Sequence, residues 1–128
     1  MTRIKICGIT DETNALAAAD AGADFIGLVF AHSKRQVIPA RAREIADAVK
    51  KSSAATKVVG VFVNAPVFQI NEIADFCALD VVQLSGNESW EDCRKIANPI
   101  IKAIRVGRQP LEDICAELSA ASRLLARR

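Results

Sequence analysis

The sequence predicts an α/β fold of repeated βα units on a parallel sheet, and three observations carry that reading. Short apolar runs alternate with amphipathic stretches along the whole chain. Several runs are near-continuous, as in Val58-Val59-Gly60-Val61-Phe62-Val63, the pattern of strands covered on both faces in a parallel sheet packed under helices. Residues that start and stop helices fall between the runs.

Taken in order, strands are expected over residues 3–7, 25–30, 57–63, 81–84 and 100–106, with a sixth beginning near Arg123. Asp11 or Thr10 caps a helix over 14–21, and Gly22 supplies its stop. Pro39 opens a helix over 40–50, where its missing N–H costs little. Pro66 opens another over 67–77. Ser89 or Asn87 precedes one that runs to Ala97 and is ended by Asn98-Pro99, and Pro110 opens the last, over 111–120. Strand and helix alternate throughout, so each connection is a right-handed crossover. Most strand-to-strand intervals are close to the minimum for a βαβ repeat. Short, regular units favour a (β/α)₈ barrel, although periodicity alone also fits a doubly wound sheet of about five strands. No Gly-rich phosphate loop follows the first strand.

Composition narrows the function classes. The 128 residues are 51% hydrophobic and 25% charged, with a formal net charge of +2, as expected of one soluble globular domain. No basic stripe suggests nucleic acid as a partner. No apolar run approaches the roughly 20 residues that span a bilayer, so no membrane is implied. The N-terminus alternates Arg3 and Lys5 with Ile4 and Ile6, which is strand patterning and not a leader. Cytoplasmic residence is therefore expected. Cys7, Cys77, Cys93 and Cys115 form no C-x-x-C pair, and one histidine accompanies them, which argues against zinc. Four reduced thiols are expected. Cys77, Cys93 and Cys115 lie in helical segments among apolar residues, where cysteine acts as a small hydrophobe. Cys7 ends a strand and precedes a glycine.

Six segments, in order, carry a resemblance. They are K-I-C-G-I-T at residues 5–10, G-A-D-F-I-G-L-V-F at 22–30, S-K-R at 33–35, V-G-V-F-V-N at 59–64, V-Q-L-S-G-N-E at 82–88 and K-A-I-R-V at 102–106. Together they resemble the phosphoribosylanthranilate isomerases of tryptophan biosynthesis. The resemblance implies a TIM (β/α)₈ barrel. A complete barrel needs about 200 residues or more, so the expectation is a single incomplete barrel domain over 1–128, with five βα units and the start of a sixth strand.

The resemblance also implies an activity, the Amadori rearrangement of N-(5′-phosphoribosyl)anthranilate, with no cofactor and no metal. It assigns Cys7 as general base. Arg35 would contact the anthranilate end, and Gln83 and Ser85 would contact substrate. The chemistry suits these residue types. Catalytic groups of such barrels lie at the C-terminal ends of strands, and a free thiol ionises near about 8.5, within reach of a base working near neutrality. A lone cysteine without this motif is more often a buried packing residue. The Arg35 guanidinium is a planar fork matched to a carboxylate, although a lone loop arginine is usually a solvated charge. Lys34 reads as surface. His32 matches no catalytic position of the family and reads as a loop residue.

Three departures stand against full activity. Ser85 replaces the histidine usual in V-Q-L-H-G. The family's sixth strand carries L-L-D, whose aspartate is the general acid, and here the chain reads Leu124-Leu125-Ala126-Arg127-Arg128. Either Ala126 takes the acid's position or the chain leaves the family frame just before it, and on both readings the acid is absent. The phosphate-gripping loops after strands seven and eight are not encoded in these residues. The sequence therefore supports an isomerase whose 128-residue chain is inactive alone. The alternative is a non-catalytic half-barrel that oligomerises through its exposed edges. A third reading, an unrelated cysteine-nucleophile enzyme, would need His32 as partner for Cys7.

Overall fold

The structure, a computed structural model, describes residues 1–53 and 55–126. Its elements alternate without exception. They are β1 (Lys5–Cys7), α1 (Glu12–Asp20), β2 (Phe25–Val29), α2 (Pro39–Ser52), β3 (Lys57–Phe62), α3 (Val67–Cys77), β4 (Val81–Leu84), α4 (Trp90–Arg94), β5 (Ile100–Lys102) and α5 (Leu111–Leu125). All four strand pairings are parallel, and the sheet order is β1-β2-β3-β4-β5. Strand order never reverses. The wall is singly wound, as in a barrel, and the doubly wound alternative is removed.

The pairing register defines two faces, because successive side chains along a strand point to opposite sides. Lys5 and Cys7 share one face of β1, aligned with Phe25 and Gly27 of β2. Ile4 and Ile6 lie on the other face, toward α1. The core lies between the helices and that second face. Ile26, Leu28, Val58, Phe62, Val82 and Leu84 pack there against Ala15, Ala42, Ile45, Val49, Ile70 and Cys77. In the central strand β3 every residue from Val58 to Phe62 is buried. Burial falls off toward β1 and β5, the two unpaired edges.

Local chemistry explains most boundaries. The Asp11 carboxylate accepts from the Asn14 backbone N–H at 2.7 Å, so α1 begins two residues earlier than expected. Gly22 stops it at a φ of +93°, a conformation that favours glycine. Pro39 occupies the first turn of α2, and Ser89 caps α4 through the Asp92 N–H at 3.1 Å. The β2 to β3 interval is the longest of the chain, because an additional loop at 30–38 leaves the end of β2.

Three expectations need correction. The helix expected to reach Ala97 ends at Arg94. The Asn71 side chain captures the chain there, accepting from the Ala97 N–H and donating to the Lys95 carbonyl, each at 3.0 Å. The fifth strand ends at Lys102 instead of Val106. Its only partner among the described residues, β4, ends at Leu84, and a strand without a partner has no ladder to extend. Among the described residues no sixth strand begins near Arg123, because α5 continues through Leu125; Arg127 and Arg128 lie outside the described residues. From Cys115 to Ala126 there is no β-branched residue, glycine or proline, and alanine and leucine are strong helix formers. Ile114, Ala121 and Leu125 recur at helical spacing and are buried or partly buried.

Candidate active site

Cys7 ends β1 at the sheet's C-terminal rim, and the glycine after it lets the chain turn sharply. Gly8 has a φ of +81°, and its N–H and that of Ile9 donate to the Gly27 carbonyl at 3.0 and 3.1 Å. Two glycines make room for the site. A Cβ on Gly27 would lie 2.7 Å from the Cys7 Sγ, and one on Gly8 would lie 2.6 Å from the Arg35 Cδ. The thiol and the guanidinium therefore pack over bare backbone.

Arg35 is placed by the loop at 30–38, which folds back on β2. The Val37 N–H donates to the Val29 carbonyl at 2.9 Å, the Gln36 side chain donates to the Phe30 carbonyl at 3.1 Å, and the Arg35 N–H donates to the Ser33 hydroxyl at 3.1 Å. The result is an open cavity of about 390 Å³ lined by Cys7, Gly8, Val29, Ser33, Lys34 and Arg35. Cys7 and Arg35, assigned from distant segments, meet there. Lys34 is exposed as expected, yet it lines the same cavity. Its position within S-K-R was the signal that could have found it. His32 is an exposed loop residue outside the lining.

Gln83 and Ser85 do not line that cavity. They stand on β4 and just past it, tied to β1 by a side chain the sequence did not single out. The Lys5 ammonium donates to the Gln83 carbonyl oxygen, and the Gln83 amide donates to the Ser85 hydroxyl at 3.1 Å.

A second polar group holds the rim of β3, β4 and β5 together. The Glu88 carboxylate accepts from Lys102 Nζ at 2.8 Å, from the Asn64 N–H at 2.8 Å and from the Gly86 N–H at 3.0 Å. The two paired side chains are 4% and 10% exposed for Glu88 and Lys102. Burial alone would raise the Glu88 carboxyl, but the ammonium and the backbone N–H groups outweigh it and hold the carboxyl below its ordinary value. A larger cavity of about 700 Å³ lies between Ile4, Ile6 and α1 on the outer face of β1. It is largely apolar, and Gly8 and Arg35 line it as well as the cavity at the thiol. Among the described residues no group of three or more His, Cys, Asp or Glu could hold a metal ion.

A family model described as N-(5′-phosphoribosyl)anthranilate (PRA) isomerase matches residues 4–125. The chain belongs to this isomerase family. The N-(5′-phosphoribosyl)anthranilate isomerase of Dehalococcoides mccartyi is 49% identical over 118 residues, covering 92% of this chain and 52% of the relative. The crystal structure of phosphoribosyl anthranilate isomerase from Thermotoga maritima superposes with a TM-score of 0.82 at 39% identity, covering 94% of this chain and 58% of that one. A family structure in complex with reduced 1-(o-carboxyphenylamino)-1-deoxyribulose 5-phosphate superposes with a TM-score of 0.81 at 40% identity, covering 94% and 61%. The chain thus spans about half the length of the curated relatives it matches. These likenesses establish the TIM-barrel-like fold.

The four thiols differ in a way that can be measured. Cys7 and Cys115 are exposed, whereas Cys77 and Cys93 are buried. Exposure of Cys115 corrects its reading as a packing residue. Leu111 and Leu118 on the same helix are exposed as well. Burial pushes the Cys77 and Cys93 thiols up, which lowers their thiolate fraction. Iodoacetamide at pH 8 should therefore label Cys7 and Cys115 about tenfold faster or more than the buried pair. Peptide mass spectrometry over time checks this, and equal rates at all four positions would contradict the packing described.

Proposed function

We propose that residues 1–128 form one incomplete barrel unit carrying the base-bearing half of a phosphoribosylanthranilate isomerase site. The reaction is the rearrangement of N-(5′-phosphoribosyl)anthranilate to 1-(2-carboxyphenylamino)-1-deoxyribulose 5-phosphate, in cytoplasmic tryptophan biosynthesis. The observation that carries this reading is the meeting of Cys7 and Arg35 at one cavity on the strand-end rim. Cys7, as thiolate, removes the C2′ proton once the ribose ring has opened, leaving an enolamine that tautomerises to the ketone. Arg35 takes the anthranilate carboxylate through its two-pronged N–H fork. Gln83 and Ser85 contact substrate from β4. Ring opening needs a proton donor on the ring oxygen, and no carboxylic acid lines this cavity.

The test supplies that donor. Residues 1 to about 107 of this chain, joined in the loop after β5 to the remaining strands of the Thermotoga maritima isomerase, should give a barrel with turnover. Cys7→Ala in that fusion should lower kcat by about 10²–10⁴-fold, the usual worth of general acid–base catalysis. A folded fusion whose turnover is unaffected by Cys7→Ala would exclude the assigned base.

The polypeptide 1–128 alone should also self-associate. β1 and β5 each leave a row of backbone donors and acceptors unpaired. Ile4, Ile6 and Ile101 are exposed on or beside those edges, and uncovered apolar surface of this kind drives association. Two copies related by a two-fold axis can cover each other's edges. Sedimentation at micromolar concentration should show a dimer or larger species, and a compact monomer would contradict this arrangement.

A further inference from the structure

Lys5 lies on the same face of β1 as Cys7, and its ammonium reaches across the concave side of the sheet to Gln83 on β4. An ammonium can only donate hydrogen bonds. Gln83 must therefore turn its carbonyl oxygen toward Lys5, since the opposite orientation of the amide would set donors against donors. That choice leaves the Gln83 NH₂ facing the Ser85 hydroxyl at 3.1 Å. The N–H donates, so one lone pair of the Ser85 oxygen is occupied. The backbone of Ser85 is engaged elsewhere, its N–H donating to the Phe62 carbonyl at 2.9 Å and its carbonyl accepting from Arg105 at 3.1 Å. The hydroxyl hydrogen is the group left to face the open side of the wall, where Ser85 is half-buried.

We propose that Lys5 is a positioning residue that fixes the hydrogen-bond polarity of Gln83 and Ser85, so that Ser85 presents its hydroxyl as a donor to an acceptor oxygen of the ligand. This inference rests on the site reading above and assigns Ser85 a direction within it. The ligand oxygen it favours is an anionic one, a carboxylate or a phosphate, because a donor facing an anion forms the stronger, charge-assisted bond. Without Lys5 the Gln83 amide is free to turn, and Ser85 can then spend its hydrogen on the Gln83 carbonyl.

Two measurements on the ¹⁵N-labelled 128-residue chain test this. In the ligand-free protein, Lys5→Met should shift the Gln83 side-chain NH₂ signals, while Lys5→Arg, which also only donates, should leave them near their original positions. Unshifted signals in a folded Lys5→Met protein would overturn the relay. If Lys5→Met fails to fold, Lys5→Gln supplies the same comparison, because glutamine can present either oxygen or nitrogen. The second measurement titrates anthranilate and ribose 5-phosphate separately into the original chain, Lys5→Met, Ser85→Ala and the double variant. One probe should lose about tenfold in affinity in each single variant, as for a hydrogen bond to a charged group. The double variant should be no worse than either single one, because both remove the same donor. The affected probe identifies whether Ser85 faces the carboxylate or the phosphate. Losses that multiply would show that Lys5 acts by its own charge and would overturn the proposal. If the original chain binds neither probe, the site reading and the ligand-facing role of Ser85 both fall, while the NH₂ signals still decide whether the relay exists.

Discussion

Residues 1–128 expressed alone should convert freshly made N-(5′-phosphoribosyl)anthranilate no faster than buffer does. The cavity at the rim offers a thiol and a guanidinium but no carboxylic acid. Leu124 and Leu125, where the resemblance implied an acid-bearing sixth strand, are the last turn of α5. General acid catalysis contributes about 10²–10⁴-fold. A second loss adds to it. Barrels of this class grip phosphate with loops after strands seven and eight, and the described sheet has five strands. Binding energy from that remote phosphate would otherwise orient the reacting sugar, and its removal lowers the rate of the chemical step as well as affinity. Product fluorescence followed over time makes the measurement. Turnover that disappears in Cys7→Ala would show that another group of this chain replaces the acid.

The parts of this fold that were legible in the sequence are those decided locally. The all-buried run of β3 announced itself as the near-continuous apolar stretch Val58-Val59-Gly60-Val61-Phe62. Asp11, Pro39, Pro66, Ser89 and Pro110 each stand at or beside a helix start, because caps and prolines act within one turn. Cys7 and Arg35 were legible through family motifs, and the structure adds that Gly8 and Gly27 are the spaces their side chains occupy. The misses are non-local or depend on a frame imposed from outside. The end of α4 is decided by Asn71, 24 residues before Lys95. The length of β5 is decided by where β4 stops. The sixth strand was expected from the strand–helix alternation carried on past the fifth helix, against a local composition that favours helix. Lys5 could not be matched to Gln83 because nothing in either residue's neighbourhood signals a contact 78 residues away.

Glu88 belongs to the same illegible class, and its removal should be the most destabilising single change at the rim. The carboxylate holds Lys102 on β5 and the N–H groups of Asn64 and Gly86 after β3 and β4. Asn64 sits at a φ of +53°, and its side-chain oxygen accepts from the Asn87 N–H at 2.7 Å, so the two loops are locked to each other. A Cβ on Gly86 would lie 2.4 Å from that oxygen. Exposed ion pairs contribute at most about 1 kcal/mol. This pair is nearly enclosed, and stripping one partner from such a pair costs about 3–5 kcal/mol, because the other charge stays buried. The Lys102 ammonium keeps its bond to the Gly86 carbonyl at 2.8 Å, which sets the loss toward the lower end of that range. Glu88→Ala should lower stability by that amount in urea denaturation. Glu88→Gln should lose less, since its amide oxygen still accepts. Adding Lys102→Met to Glu88→Ala should restore part of the loss by removing the stranded ammonium. The pH dependence follows with a definite sign. The folded carboxyl lies below its ordinary value of 4.5, so its contribution is complete above that value and disappears as pH falls through the depressed folded value. The stability difference between the original chain and Glu88→Gln should therefore be constant from neutral pH down to the ordinary carboxylate range and should shrink below it. A Glu88→Ala protein within about 1 kcal/mol of the original would place the pair among exposed ones, and the rim would then be held by its backbone ladder alone.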